Sequence, residues 1–201
     1  MAVSDVSICN RALNKMGAGK IVSLSDENEK ARVLNTAYDP VRRAELRRRR
    51  WRFSIKRVSL PALADAPDSD FAHQYQLPSD YLRLIEGGDI LSLTDLSDYR
   101  TSSSEAYSVE GRKILTNFGA PLHIRYIRDV TDASLFDSAF VESFASRLAY
   151  ECCERITESD SKNAALLQDY RLSIREAALA NALEVASASV GDGEWVVART
   201  Q

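Results

Sequence analysis

The spacing of apolar residues changes twice along this chain, and that change constrains the fold more than any motif in it. Over the first and last thirds, apolar side chains recur every three or four positions, as along one face of a helix. Between them they recur every second position, as along one face of a strand. Helical stripes of this kind must cover one another and a short-stranded sheet needs its own cover, so the expected class is α+β.

The first stripe, Val6, Cys9, Leu13 and Met16, is widened by Ile8 and Ala12 and stopped by Gly17. A second helix is expected from Asp26, with Glu29 completing a capping box and Leu34, Ala37, Tyr38 and Val41 on one face. Pro40 predicts a kink or break near Tyr38 and Asp39. Phe53, Ile55, Val58 and Leu60, then Leu82 and Leu84, then Leu122, Ile124 and Tyr126, alternate as strands do, with turn-forming clusters between them. The stretch 106–116 reads as a hairpin turning at Glu110 and Gly111. Helical spacing returns with Ser138 as a cap and Phe140, Val141, Phe144, Leu148, Cys152 and Ile156 on one face. After a polar break, Leu166, Leu167, Tyr170, Ile174, Ala177, Ala178 and Ala182 mark a last helix reaching about residue 186. The expected architecture is a four-helix bundle of two N-terminal and two C-terminal helices, with a small antiparallel β region inserted between the pairs and a C-terminal arm. The divisions are 1–52 and 131–187 for the two halves of the bundle, 53–130 for the β region and 188–201 for the arm.

With 45% hydrophobic and 27% charged residues the composition is that of an ordinary globular chain. Neither an apolar run of membrane-spanning length nor a signal-peptide pattern is present, so synthesis and retention in a cytoplasm are expected. Cys9, Cys152 and Cys153 have no disulfide spacing and read as small core residues; His73 and His123 have no neighbouring ligand at helical spacing. Nucleotide-binding glycine loops, nucleophile elbows and zinc-protease motifs are all missing from the sequence. The acidic clusters at Asp26, Glu27 and Glu29 and at Glu158 and Asp160 fall at helix ends, where the helix dipole favours them. We therefore expect no enzyme, no cofactor and no metal.

Charge is unevenly distributed. Residues 42–57 hold nine basic side chains and one acid, Glu45, a net of +8, so with −3 overall the remainder carries −11. Such asymmetry points to nucleic acid or to a complementary protein partner.

Several stretches, taken in order, resemble one family. They are Asn-x-Ala-Leu at 10–13, Tyr-x-Pro-x-Arg at 38–42, Trp-x-Phe at 51–53, Leu-Pro-x-Asp-Tyr-Leu at 77–82, the closing helix pair and the Trp-containing tail. The chain is similar over nearly its whole length to the tail tubular protein A family, the head-to-tail adaptors of podovirus-type bacteriophages. The resemblance implies a virion protein of the neck, assembled in the host cytoplasm: a homo-oligomeric, dodecameric ring beneath the portal protein. Such a ring supports the tail nozzle protein and lets DNA pass through its lumen without sequence-specific binding. The density of the arginine run departs from that pattern.

On a helix, Arg47, Arg48, Arg49 and Arg50 would point in every direction round the axis, which suits carboxylates of neighbouring chains better than one DNA groove. Together with Arg43 they are expected at the subunit or portal interface. Contact with DNA phosphates in the lumen and a simply solvated helix end are the other readings. The rival function is a DNA-binding module using residues 42–57. Trp51 and Phe53 are expected to anchor the joint between helices and β region rather than to stack on bases. Trp195, Val196 and Val197, beyond Gly191 and Gly193, are expected to dock on an adjacent subunit or the portal.

Overall fold

The computed structural model describes residues 3–85 and 107–183. The class is α+β, with four α-helices and small antiparallel sheets among the described residues.

Helix α1 (Asp5–Met16) begins on two serines that cap each other: Ser7 N donates to Ser4 Oγ at 3.2 Å and Ser4 N donates to Ser7 Oγ at 2.9 Å. It ends on Gly17, whose φ of 72° lets Ala18 N reach back to Leu13 O at 2.9 Å. Helix α2 (Glu29–Arg48) is capped by Asn28, which accepts from Ala31 N at 2.9 Å. The cap is therefore not Asp26, which instead accepts from Val22 N in the preceding loop. Nor does Pro40 break the helix, which runs on to Arg48. Pro40 and Thr36, four residues before it, face solvent, so the carbonyl that loses its donor can be hydrated while Tyr38 and Val41 are held in the core.

From Trp51 the chain turns through one 3-10 turn (Arg52–Ser54) into β1 (Ile55–Leu60). Five further strands follow: β2 (His73–Gln76), β3 (Tyr81–Leu84), β4 (Tyr107–Glu110), β5 (Lys113–Thr116) and β6 (Leu122–Arg128). They form two three-stranded sheets, ordered β1-β6-β3 and β2-β5-β4, with every neighbour antiparallel. The β4–β5 hairpin turns at Gly111 and Arg112, with φ of 50° and 66°, the mirror-image turn that suits twisted strands. Leu60, Leu84, Leu122, Ile124 and Tyr126 of one sheet meet Tyr75 and Ile114 of the other in a small second core.

Helix α3 (Ser138–Thr157) starts from Asp137, one residue earlier than the expected cap; its carboxylate accepts from Ala139 N at 2.8 Å. A carboxylate both bonds the free amides and meets the helix dipole, which a serine does less strongly. Helix α4 (Asp160–Leu183) follows. Helix α3 is central, packing against α1, α2 and α4, with Phe140, Phe144, Ala145, Leu148 and Ala149 fully buried. Its aromatics meet Trp51 (5.1 Å to Phe140, edge-on) and Tyr38 (5.2 Å to Phe144, edge-on), which fixes the middle of α2 and the turn that follows it against α3. The main core also takes Leu82, Ile85 and Ile127 from the first sheet, so β6 contributes to both cores. Among the described residues no helix is long and apolar enough to cross a membrane.

Candidate interface at the end of helix α2

The basic run divides between groups held inside the chain and groups presented outward. Arg42, only 4% exposed, pairs with Asp129 at 3.0 Å and Asp39 at 3.3 Å, and exposed Arg43 reaches the other oxygen of Asp129 at 3.2 Å. These two tie α2 to the end of β6. Lys56 pairs with Asp80 at 2.9 Å, and Tyr126 donates to the same carboxylate at 2.8 Å. Burial pushes the Asp80 carboxyl up, but these bonds outweigh it and hold the group below its ordinary value.

At the end of α2 lies a buried polar centre. The Glu45 side chain is fully buried, and its Oε2 accepts from Tyr170 Oη at 2.8 Å. Tyr170 Oη in turn accepts from Arg48 at 3.1 Å and from Arg147 at 3.2 Å, and both guanidiniums lie over its ring, at 5.7 and 5.4 Å from the centroid. One phenol thus links α2, α3 and α4. Burial raises the Glu45 carboxyl above its ordinary value despite the opposing pull of Tyr170, Arg147, Arg48 and Arg49. The same burial pushes the Cys9 and Cys152 thiols up to about 12, so they are packing groups rather than nucleophiles, and all three cysteines are free. The Glu45 centre was readable but missed: 34, 38, 41 and 45 share one stripe, so an acid at 45 falls on the apolar face.

The expectation that four consecutive arginines radiate from a helix is corrected. Helix α2 ends at Arg48, and Arg49 is extended, with φ −132° and ψ 167°. Arg47 and Arg50 are exposed and form no ion pair with another described residue; Arg49 is half-buried. The segment after the helix is pinned by Asn181 of α4, which donates to Arg50 O at 2.9 Å and accepts from Arg52 N at 3.0 Å. Arg47 therefore stands on the last turn of α2 and Arg50 on backbone held by α4, while Arg43 and Arg48 are engaged within the chain.

Trp51, 1% exposed, donates from Nε1 to Glu45 O at 3.0 Å and packs on Phe140. Phe53 is half-buried and packs on Phe136 and Phe140, at 5.7 and 5.1 Å between ring centres. Trp195, Val196 and Val197 lie outside the described residues. Among the described residues no cluster of three or more His, Cys, Asp or Glu is placed to hold a metal ion. No protein-family model matches the chain, and no curated protein matches it significantly.

Proposed function

We propose that this chain is a structural subunit of a bacteriophage head-to-tail adaptor, one segment of a ring under the portal through which DNA passes. In this reading the four helices form a bundle that makes the ring wall, the β region projects from it, and residues 188–201 form an arm that docks on a neighbour or on the portal. The observation that carries the reading is the outward pair Arg47, on the last turn of α2, and Arg50, whose carbonyl Asn181 holds, both without ion pairs to other described residues in a chain whose remainder is strongly acidic. Such cations suit carboxylates of an adjoining subunit. The order of the motifs at 10–13, 38–42, 51–53 and 77–82 supports the same reading.

The test is electron microscopy of the purified chain with and without its portal. Rings should form on the portal with the wild type and not with Arg47→Glu/Arg50→Glu, whose monomer stability should change by no more than about 1 kcal/mol, since exposed ion pairs contribute little to folding. Normal rings from that variant would remove the arginines from the interface. Tight binding of the free chain to DNA, falling log-linearly with salt, would favour the DNA-binding module instead.

A further inference from the structure

One face of the first sheet carries three arginines side by side. Register sets Arg57 of β1 directly opposite Arg125 of β6, and Arg83 of β3 opposite Ile127, one diagonal step from Arg125. Each of the three strands therefore puts a guanidinium on the side of the sheet that carries Ile55 and Ile127 to the main core. Arg57 is exposed, and Arg83 and Arg125 are half-buried. Like charges directly opposite one another destabilise a sheet, and their repulsion grows as water is removed, so such a face calls for carboxylates laid against it.

The connection between β3 and β4 is rich in them. Residues 86–106 hold Glu86, Asp89, Asp95, Asp98 and Glu105 against one base, Arg100, a net of −4. This connection leaves the sheet beside the arginines, since Ile85 N donates to Arg125 O at 2.9 Å, and it re-enters at Tyr107, opposite Thr116 of β5 in the second sheet. Fully extended it would span about 70 Å, so its length keeps no part of the face out of reach. With both ends tethered, its carboxylates have an effective concentration of roughly millimolar, which a free anion must exceed. We propose that the carboxylates of residues 86–106 seat on this arginine face, making it an internal contact of the chain and not a surface for nucleic acid. Arg57 belongs to the basic run, so a further cation of that run is then committed within the fold. The contact is made within one chain and needs no ring, so it stands apart from the adaptor reading.

A carbodiimide, which joins an amine directly to a carboxylate in contact with it, tests this on the full-length chain at low concentration. In Arg125→Lys, which keeps the charge, the new amine should link within one chain to a carboxylate between Asp89 and Glu105, located by mass spectrometry. Lys56, 2.9 Å from Asp80, is the internal control. Absence of the first link while Lys56 is joined to Asp80 would overturn the proposal. Links found only between chains would give the face to a second copy, with the same consequence. Thermal melts supply an independent measurement. Arg57→Gln/Arg125→Gln should lower the melting temperature of the wild type but raise that of Asp89→Asn/Asp95→Asn/Asp98→Asn, in which the arginines are left to repel one another. Both shifts should shrink in high salt. Equal shifts in the two backgrounds would mean that the two sets of charges do not meet, against the proposal. Duplex DNA that binds the wild type and is lost in Arg57→Gln/Arg125→Gln would assign the face to nucleic acid instead.

Discussion

Glu45 sits where the periodicity of α2 calls for a hydrocarbon, and burial disfavours its charge even though Tyr170 donates to it and Arg147 lies 3.6 Å away. With its carboxyl raised in the folded chain, the native state holds a proton that the unfolded state has released once pH exceeds the ordinary range near 4.3. Stability contributed below that range is therefore lost as pH rises through the folded value. Glu45→Gln, which cannot ionise, should gain stability relative to wild type as pH is raised from about 4 to 7, read from urea melts at each pH. A gap that does not change with pH would place the carboxyl at its ordinary value. Trp51 offers a second residue-level test. It is closed in by Phe140 and holds the carbonyl of Glu45, so Trp51→Ala should cost about 3–5 kcal/mol in a denaturant melt, the usual loss for an emptied aromatic site. A loss below about 1 kcal/mol would mean that the indole is not part of the core.

At the level of elements, Pro40 is the one interior residue of α2 that works against its own helix. Pro40→Ala restores a backbone donor on the exposed face and should stabilise the chain by up to about 3 kcal/mol, measured as a raised melting temperature. A fall in melting temperature would show that the proline is needed where α2 packs against α3. The stop at Gly17 was legible because it depends on one residue's freedom to adopt positive φ; the hairpin was legible near Gly111, but its turn is made by Gly111 and Arg112, one residue later than expected, with Glu110 still in β4. The caps of α2 and α3 fell two residues later and one residue earlier than expected, since Asp26, Asn28, Asp137 and Ser138 are all competent caps and tertiary packing chooses among them. Strand positions such as Leu122, Ile124 and Tyr126 could be read from alternation, but not the division into two sheets. That β6 lies between β1 and β3 depends on pairing across more than sixty residues of intervening chain for β1, which local pattern does not encode.

For the whole molecule, the −11 outside residues 42–57 is not idle. Asp39, Asp129 and Asp80 neutralise Arg42, Arg43 and Lys56 within the fold, so the cationic surface left for a partner is smaller than the run implied. The candidate interface was thus legible as a region and not as a residue set, because whether an arginine faces inward depends on where α2 stops. Deleting residues 194–201 should leave the melting temperature unchanged and abolish stable incorporation under a portal; a lower melting temperature with normal incorporation would assign that segment to its own chain. The placement of β6 has a dynamic consequence. Leu122, Ile124 and Tyr126 enter one core and Ile127 the other, so neighbouring side chains point to opposite faces and the strand is a wall shared by both cores. The β4–β5 hairpin adds side chains to the second core alone. Amide protons should therefore exchange most slowly along β1 and β6 and sooner in the β4–β5 hairpin.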